Sequence, residues 1–284
     1  MRTDRTILAA TGFLLLVGGI FHVGVWLYLG GPLEGPISWR KPILFCFASG
    51  VTSISLAWLA GKLQVTRWDN WLALIFSLAL LAEVGLICLQ QWRGVPSHFN
   101  RSTSFDANVL AWIKGLVLVV TLVIAVMTVR SFGAIQMTRH VALAARSGMA
   151  LLLISCLLGF AAELHGERQL VLGKPPGNYG DAGVMKFAHG MPMHAIQVLP
   201  LLAFGLSLAR LDEDQRCKSV LSACIGFWGL TIYAAIQTFS GRPRFDMTAF
   251  SAMLLTASAC LLAVPFLTAA MTAFWPMSRT GRDS

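Results

Sequence analysis

Eight long apolar runs dominate the chain, at residues 7–29, 42–60, 70–91, 108–130, 147–172, 190–210, 218–239 and 248–275. A bilayer core is about 30 Å thick and takes about 20 helical residues to cross. Hydrocarbon offers no water to the backbone, so a continuous apolar run satisfies its own peptide groups as a helix. Outer-membrane strands are excluded, because they alternate apolar with polar residues. The expected fold is all-α: a polytopic membrane protein of eight transmembrane helices, with the lipid bilayer as its first partner. With 56% hydrophobic and 12% charged residues, little chain is left for a soluble domain.

The short basic segment "MRTDR" precedes the first run. That run is about twice a signal core in length and no small-x-small cleavage site follows, so it is read as a retained span. With the N-terminus cytoplasmic, twelve of the twenty-two Lys and Arg fall on the cytoplasmic side. Positive-inside counting then gives a bacterial inner-membrane protein with both termini cytoplasmic. The +9 net charge forms no clustered basic face, which excludes a nucleic-acid partner. The six cysteines form no CxxC pair and none lies in an expected outer loop. They are read as small buried apolar residues rather than a disulfide framework.

Four short matches recur in the same order. "FHVGVWLYLGGP" (21–32) aligns with "LHGERQLVLGKP" (164–175), "FASG" with "FAHG", "QQWRGVP" (90–96) with "QTFSGRP" (237–243), and "FDA" with "FDM". This order predicts a duplication of a four-helix unit, residues 1–135 and 136–284. An even number of spans per unit implies a pseudo-two-fold axis along the membrane normal. His22 then corresponds to His165, each about 10 Å below the end of its helix at 1.5 Å per residue.

Polar side chains at depth mark function. His22, His98, His165, His189 and His194 all fall in the outer half or its loops, whereas His140 is read as a solvated loop histidine. Glu83, Glu163 and Glu167 fall toward the same side, with a pairing network as their ordinary role. In "FAHGMPMHAIQVLP", Pro192 is placed as a first-turn residue, with His189 just ahead of the helix and His194 in its opening turn. Pro200 predicts a kink in the same span. His165, His189 and His194 are the candidate metal ligands, and His22 joins them as a cofactor ligand. Thioethers beside imidazole suit copper, a carboxylate beside imidazole suits zinc or iron, and His22 with His165 would clamp a haem. Ordinary capping or pairing accounts for the same histidines equally simply. Glu163 is the candidate ligand or proton acceptor. Arg93 and His98, in "QQWRGVPSHFNRSTSFDAN", are placed at the entrance for a quinone or another small substrate. The same arginines would otherwise meet lipid phosphate while Asp106 caps the next helix.

The motifs "WRKP", "RGVPSHFN" and "HGMPMHAIQVLPL" resemble an uncharacterised family of bacterial multipass membrane proteins. The resemblance implies architecture alone. Four plus four helices with histidines toward the outer face is also similar to haem A synthase, at the level of architecture. The leading expectation is a membrane redox protein holding haem or a transition metal. The rival is a small-solute or proton-coupled transporter using the same polar site between repeats.

Overall fold

The computed structural model describes residues 2–274. Its helices are α1 (Thr3–Leu29), α2 (Arg40–Ala60), α3 (Asp69–Trp92), α4 (Ser104–Ser131), α5 (Arg139–Val171), α6 (Met185–Met193), α7 (Ala195–Ser207), α8 (Glu213–Phe239) and α9 (Ala249–Phe274). A two-stranded antiparallel hairpin, β1 (Asn178–Tyr179) with β2 (Gly183–Val184), precedes α6. Among the described residues, eight helical spans are long and apolar enough to cross a membrane, α6 and α7 together making the sixth. This is the architecture of a multi-pass membrane protein.

The chain packs as two compact units, Met1–Gln136 with Gly166–Gly173, and Met137–His165 with Lys174–Ser284. In the first unit α1 and α2 meet where both helices carry glycine. A Cβ on Gly12 would lie 2.8 Å from the Gly50 carbonyl oxygen, so only hydrogen fits between the backbones. Ser53 Oγ then reaches across to donate to the Leu8 carbonyl at 2.7 Å. α3 buries one stripe, Asp69, Ala73, Phe76, Leu80, Glu83, Ile87 and Gln90, spaced alternately by three and four residues as a helix packed on neighbours requires. Ile87 joins Val109 and Ile113 of α4 in a core cluster that Phe45 of α2 completes.

In the second unit α7 is the central helix of a core built from Leu199, Leu202, Ala203 and Leu206 against Ala144, Leu151, Val220 and Phe227. α8 and α9 approach at Gly226, where a Cβ would come within 2.6 Å of the Ser258 carbonyl oxygen. The hairpin docks on the end of α8, with Ala182 N–H donating to the Gly241 carbonyl at 3.0 Å and Thr238 Oγ1 to the Val184 carbonyl at 3.1 Å.

Two boundaries differ from expectation. α5 begins at Arg139, about two turns before residue 147. Its opening residues look like a charged loop, but a first-turn N–H, that of His140, is satisfied by the Glu213 carboxylate at 3.1 Å. The sixth span begins at Met185, so Pro192 lies in the last turn of α6 and not in a first turn. Lacking an N–H, Pro192 leaves the carbonyl four residues earlier without its helical donor, and the helix ends one residue later. The chain restarts at α7, where the His194 carbonyl accepts from the N–H groups of Gln197 and Val198 at 3.1 and 3.0 Å. α7 then runs continuously through Pro200, and the interruption in this span falls at His194.

Candidate metal centre in the first unit

Three donors converge in the first unit from three helices. His22 lies seven residues before the end of α1, Cys46 six residues into α2 and Cys88 four residues before the end of α3. Successive helices run in opposite directions, so all three positions fall at the same end of the unit. One ligand atom from each, an imidazole nitrogen and two sulfurs, lies within 4.8 Å of the others. His22 and Cys46 are 6% and 3% exposed, and Cys88 is half-buried. Among the described residues this is the one group of three or more His, Cys, Asp or Glu close enough to share an ion.

The imidazole is held on both sides. His22 Nδ1 donates to the Gly18 carbonyl one turn earlier at 2.8 Å, and Nε2 accepts from the indole N–H of Trp92 at 3.2 Å. These partners set the tautomer. Aromatic rings wall the histidine: Phe21 lies edge-on at 5.3 Å, Trp39 at 6.4 Å and Trp92 at 6.3 Å between centroids, and Trp39 meets Trp92 edge-to-face at 5.2 Å.

The loop after α3 is tied down by its own side chains. Arg93 Nη1 pairs with Asp106 at 2.6 Å, also donates to Gln90, and its guanidinium lies 4.5 Å over the Phe105 ring. Asp106 is capped in turn, its N–H donating to Thr103 Oγ1 at 3.1 Å. His98 pairs through Nδ1 with Ser97 Oγ at 2.9 Å and packs on Phe45 at 5.9 Å. Glu167, from the stretch of α5 that belongs to this unit, pairs with Arg101 at 2.8 Å and with Lys114. Glu83 is different. It is 8% exposed and has no hydrogen-bond or ion-pair partner among the described residues, which departs from the pairing network expected for it.

The second unit distributes its histidines. His165 donates from Nε2 to the Asn178 carbonyl at 2.8 Å and lies 4.9 Å from the Tyr179 ring. His189 donates from Nδ1 to the Ser155 carbonyl at 2.7 Å, and Ser155 Oγ returns a bond to the His189 carbonyl at 2.7 Å. Gly159 makes room for that ring, a Cβ there falling 3.2 Å from it. His194 sits exposed at the α6–α7 junction, and Glu163 is half-buried on α5. His165, His189 and His194 are therefore not gathered into a ligand group as His22, Cys46 and Cys88 are. His22 and His165 belong to different units.

His140 is not a solvated loop residue. It is 1% exposed, with Nδ1 donating to Glu213 at 2.9 Å and Nε2 hydrogen-bonded to Ser207 Oγ at 2.8 Å. Its burial follows from the longer α5, which carries the ring in against the start of α8.

No spacing motif marks the two thiols: Cys46 and Cys88 are forty-two residues apart, on separate helices. Depth was the available signal, since each stands a similar number of residues from the same end as His22. No family model, curated protein or solved structure matches the chain. Fold and site define a multi-pass membrane protein with a His–Cys–Cys group buried in its first four helices.

Proposed function

We propose that this protein is a membrane metalloprotein that holds one thiophilic transition-metal ion, copper or zinc, through His22, Cys46 and Cys88. The observation that carries the reading is the convergence of three donor atoms within 4.8 Å from α1, α2 and α3. With metal–sulfur bonds of about 2.3 Å, tetrahedral ligand atoms stand roughly 3.8 Å apart. Side-chain rotations that close the group by about 1 Å therefore suffice.

Donor chemistry narrows the ion. Two thiols with an imidazole and no carboxylate are soft ligands that select copper(I) or zinc. The Nδ1–H to Gly18 carbonyl bond is the outer contact that metal-bound histidines ordinarily make, which leaves Nε2 as the ligand atom once Trp92 releases it. In a dry environment the bound group is favoured when it carries no net charge. Two thiolates neutralise zinc(II), and one thiolate neutralises copper(I). Loading therefore releases two protons for zinc and one for copper. Copper would make the centre a one-electron site, consistent with the membrane redox role expected from the sequence and with a quinone as lipid-soluble partner. The donor set fits a single ion better than haem, whose clamp by His22 and His165 would draw on two different units.

The test is metal content and proton release on loading, using full-length protein in lipid nanodiscs. One ion per chain, lost in His22→Ala, Cys46→Ser and Cys88→Ser but kept in His189→Ala and His194→Ala, is the expected result. Protein that stays metal-free after incubation with copper(I) and with zinc(II), or that loses metal only when His189 or His194 is replaced, overturns the proposal.

A further inference from the structure

Glu83 stands fourteen residues from the Asp69 end of α3 and nine from the Trp92 end, about 21 and 14 Å along the axis at 1.5 Å per residue. That places it well inside the hydrocarbon region. Its side chain is buried on the same α3 stripe as Phe76, Leu80 and Ile87, and it has no partner among the described residues. An unpaired carboxylate in such surroundings is strongly disfavoured, and pairing, a bound cation or a proton must offset it.

Pairing is ruled out by the neighbours. The elements packed on α3 are α1, α2 and α4. On α1 the buried ionisable groups are His22, bonded to Gly18 and Trp92, and Asp4, paired with Arg2 at 2.9 Å. α2 presents Cys46. On α4, Asp106 pairs with Arg93, Arg130 pairs with Asp69, and Lys114, at a height similar to that of Glu83, pairs with Glu167. On α3 itself, Asp69 also pairs with Arg2 at 2.6 Å. None of these bonds involves Glu83. Three hydroxyls in this unit are buried without a hydrogen-bond partner, Ser38 Oγ before α2, Ser77 Oγ on α3 and Thr121 Oγ1 on α4, and the last two stand on the helices nearest Glu83. Ser77 stands about 12 Å from the Asp69 end of α3 and Thr121 about 15 Å from the Ser131 end of α4. Those ends lie together, joined by the Asp69–Arg130 pair, so in height along the helices both hydroxyls stand between Glu83 and the Arg2–Asp4–Asp69–Arg130 ion pairs.

We propose that Glu83 is an intramembrane proton-binding site, taking up and releasing a proton through the Ser77 and Thr121 hydroxyls on the side of the Asp69 ion pairs. The site is independent of the metal proposal, because Glu83 is outside the ligand set. Glutamine is nearly isosteric and neutral, so Glu83→Gln removes the exchangeable proton while keeping the packing.

The experiment treats full-length protein in liposomes with a membrane-soluble carbodiimide, which reacts with protonated carboxyl groups in apolar sites, and locates the adduct by peptide mass spectrometry. Infrared spectra of the same samples read the protonated carboxyl C=O band. A carbodiimide adduct on Glu83, with loss of that band in Glu83→Gln, is the expected pair of results. Ser77→Ala with Thr121→Val should slow labelling severalfold without abolishing the band. An unmodified Glu83 in folded protein, or an unchanged carboxyl band in Glu83→Gln, overturns the proposal. Metal content measured on the same samples keeps failure here separate from failure of the His–Cys–Cys centre.

Discussion

Replacing Trp92 by phenylalanine tests how the imidazole is presented to an ion. The indole N–H donates to His22 Nε2 at 3.2 Å, so a metal that uses Nε2 must first break that bond. Phenylalanine keeps a ring near Trp39 and Phe21 and deletes only the competing donor. A neutral hydrogen bond contributes about 0.5–1.5 kcal/mol net. Trp92 is 51% exposed, so its N–H recovers part of that from water when displaced, and the low end of the range applies. At 1.4 kcal/mol per tenfold, Trp92→Phe should tighten metal binding about two- to fivefold. Competition against a chromophoric chelator, in detergent and again in nanodiscs, reads the change directly. Unchanged or weaker binding refutes the reasoning, because it means that Nε2 is not the ligand atom or that the indole orients the ring more than it blocks it.

Gly226→Ala should destabilise the second unit by about 1–3 kcal/mol, since the new methyl meets backbone at Ser258 and Leu262 that no rotamer change can move. Gly115→Ala, with nothing within 4 Å of the added Cβ, should be neutral or stabilising by up to about 1 kcal/mol; equal denaturation midpoints for the two would remove the close-approach argument. His140→Ala should cost about 1–2 kcal/mol, because it strips Glu213 and Ser207 of a shared partner while solvent still reaches the Glu213 side chain. Thermal unfolding of the purified protein checks this, and an unchanged midpoint would return His140 to the role of a passive loop residue.

The eight spans were legible because membrane solvent imposes one demand on every one of them, a long run without charges. Boundaries failed where a charged stretch was helical for a reason located elsewhere. Residues 139–146, with arginine at both ends, read as a loop, and only Glu213, more than seventy residues away, explains why α5 starts there. Pro192 was placed at a helix start on local grounds, whereas the hairpin before Met185 starts the helix earlier. Local signals did locate the turns. Gly94 and Gly241, aligned in the "QQWRGVP" and "QTFSGRP" match, have φ of 67° and 70°. In both, the N–H after the glycine returns to the glutamine carbonyl five residues earlier, Val95 to Gln90 at 3.0 Å and Arg242 to Gln237 at 3.1 Å, a Schellman closure. The two glutamines also reach forward to the following Phe-Asp segment, Gln90 to the Asp106 carboxylate at 3.0 Å and Gln237 to the Asp246 carbonyl at 2.9 Å. The two turns therefore share one local geometry, a glycine in the left-handed region closing a helix whose glutamine reaches the next segment.

Site legibility followed a different rule. Histidine stands out because it is rare and polar in a membrane span, and His165, His189 and His194 lie within thirty residues of one another. Proximity in sequence weighs little here, because a helix carries neighbours apart at 1.5 Å per residue, and His165 and His189 turn ring nitrogens to backbone carbonyls instead. Cysteine carries little signal in a sequence because it behaves as a small apolar residue in most cores. What assembles His22, Cys46 and Cys88 is antiparallel threading, which returns three helices to one depth. The same consideration singles out Glu83. A carboxyl group, unlike a thiol, has no apolar reading at that depth, so its lack of a partner calls for a ligand, and the proton is the smallest one that restores neutrality.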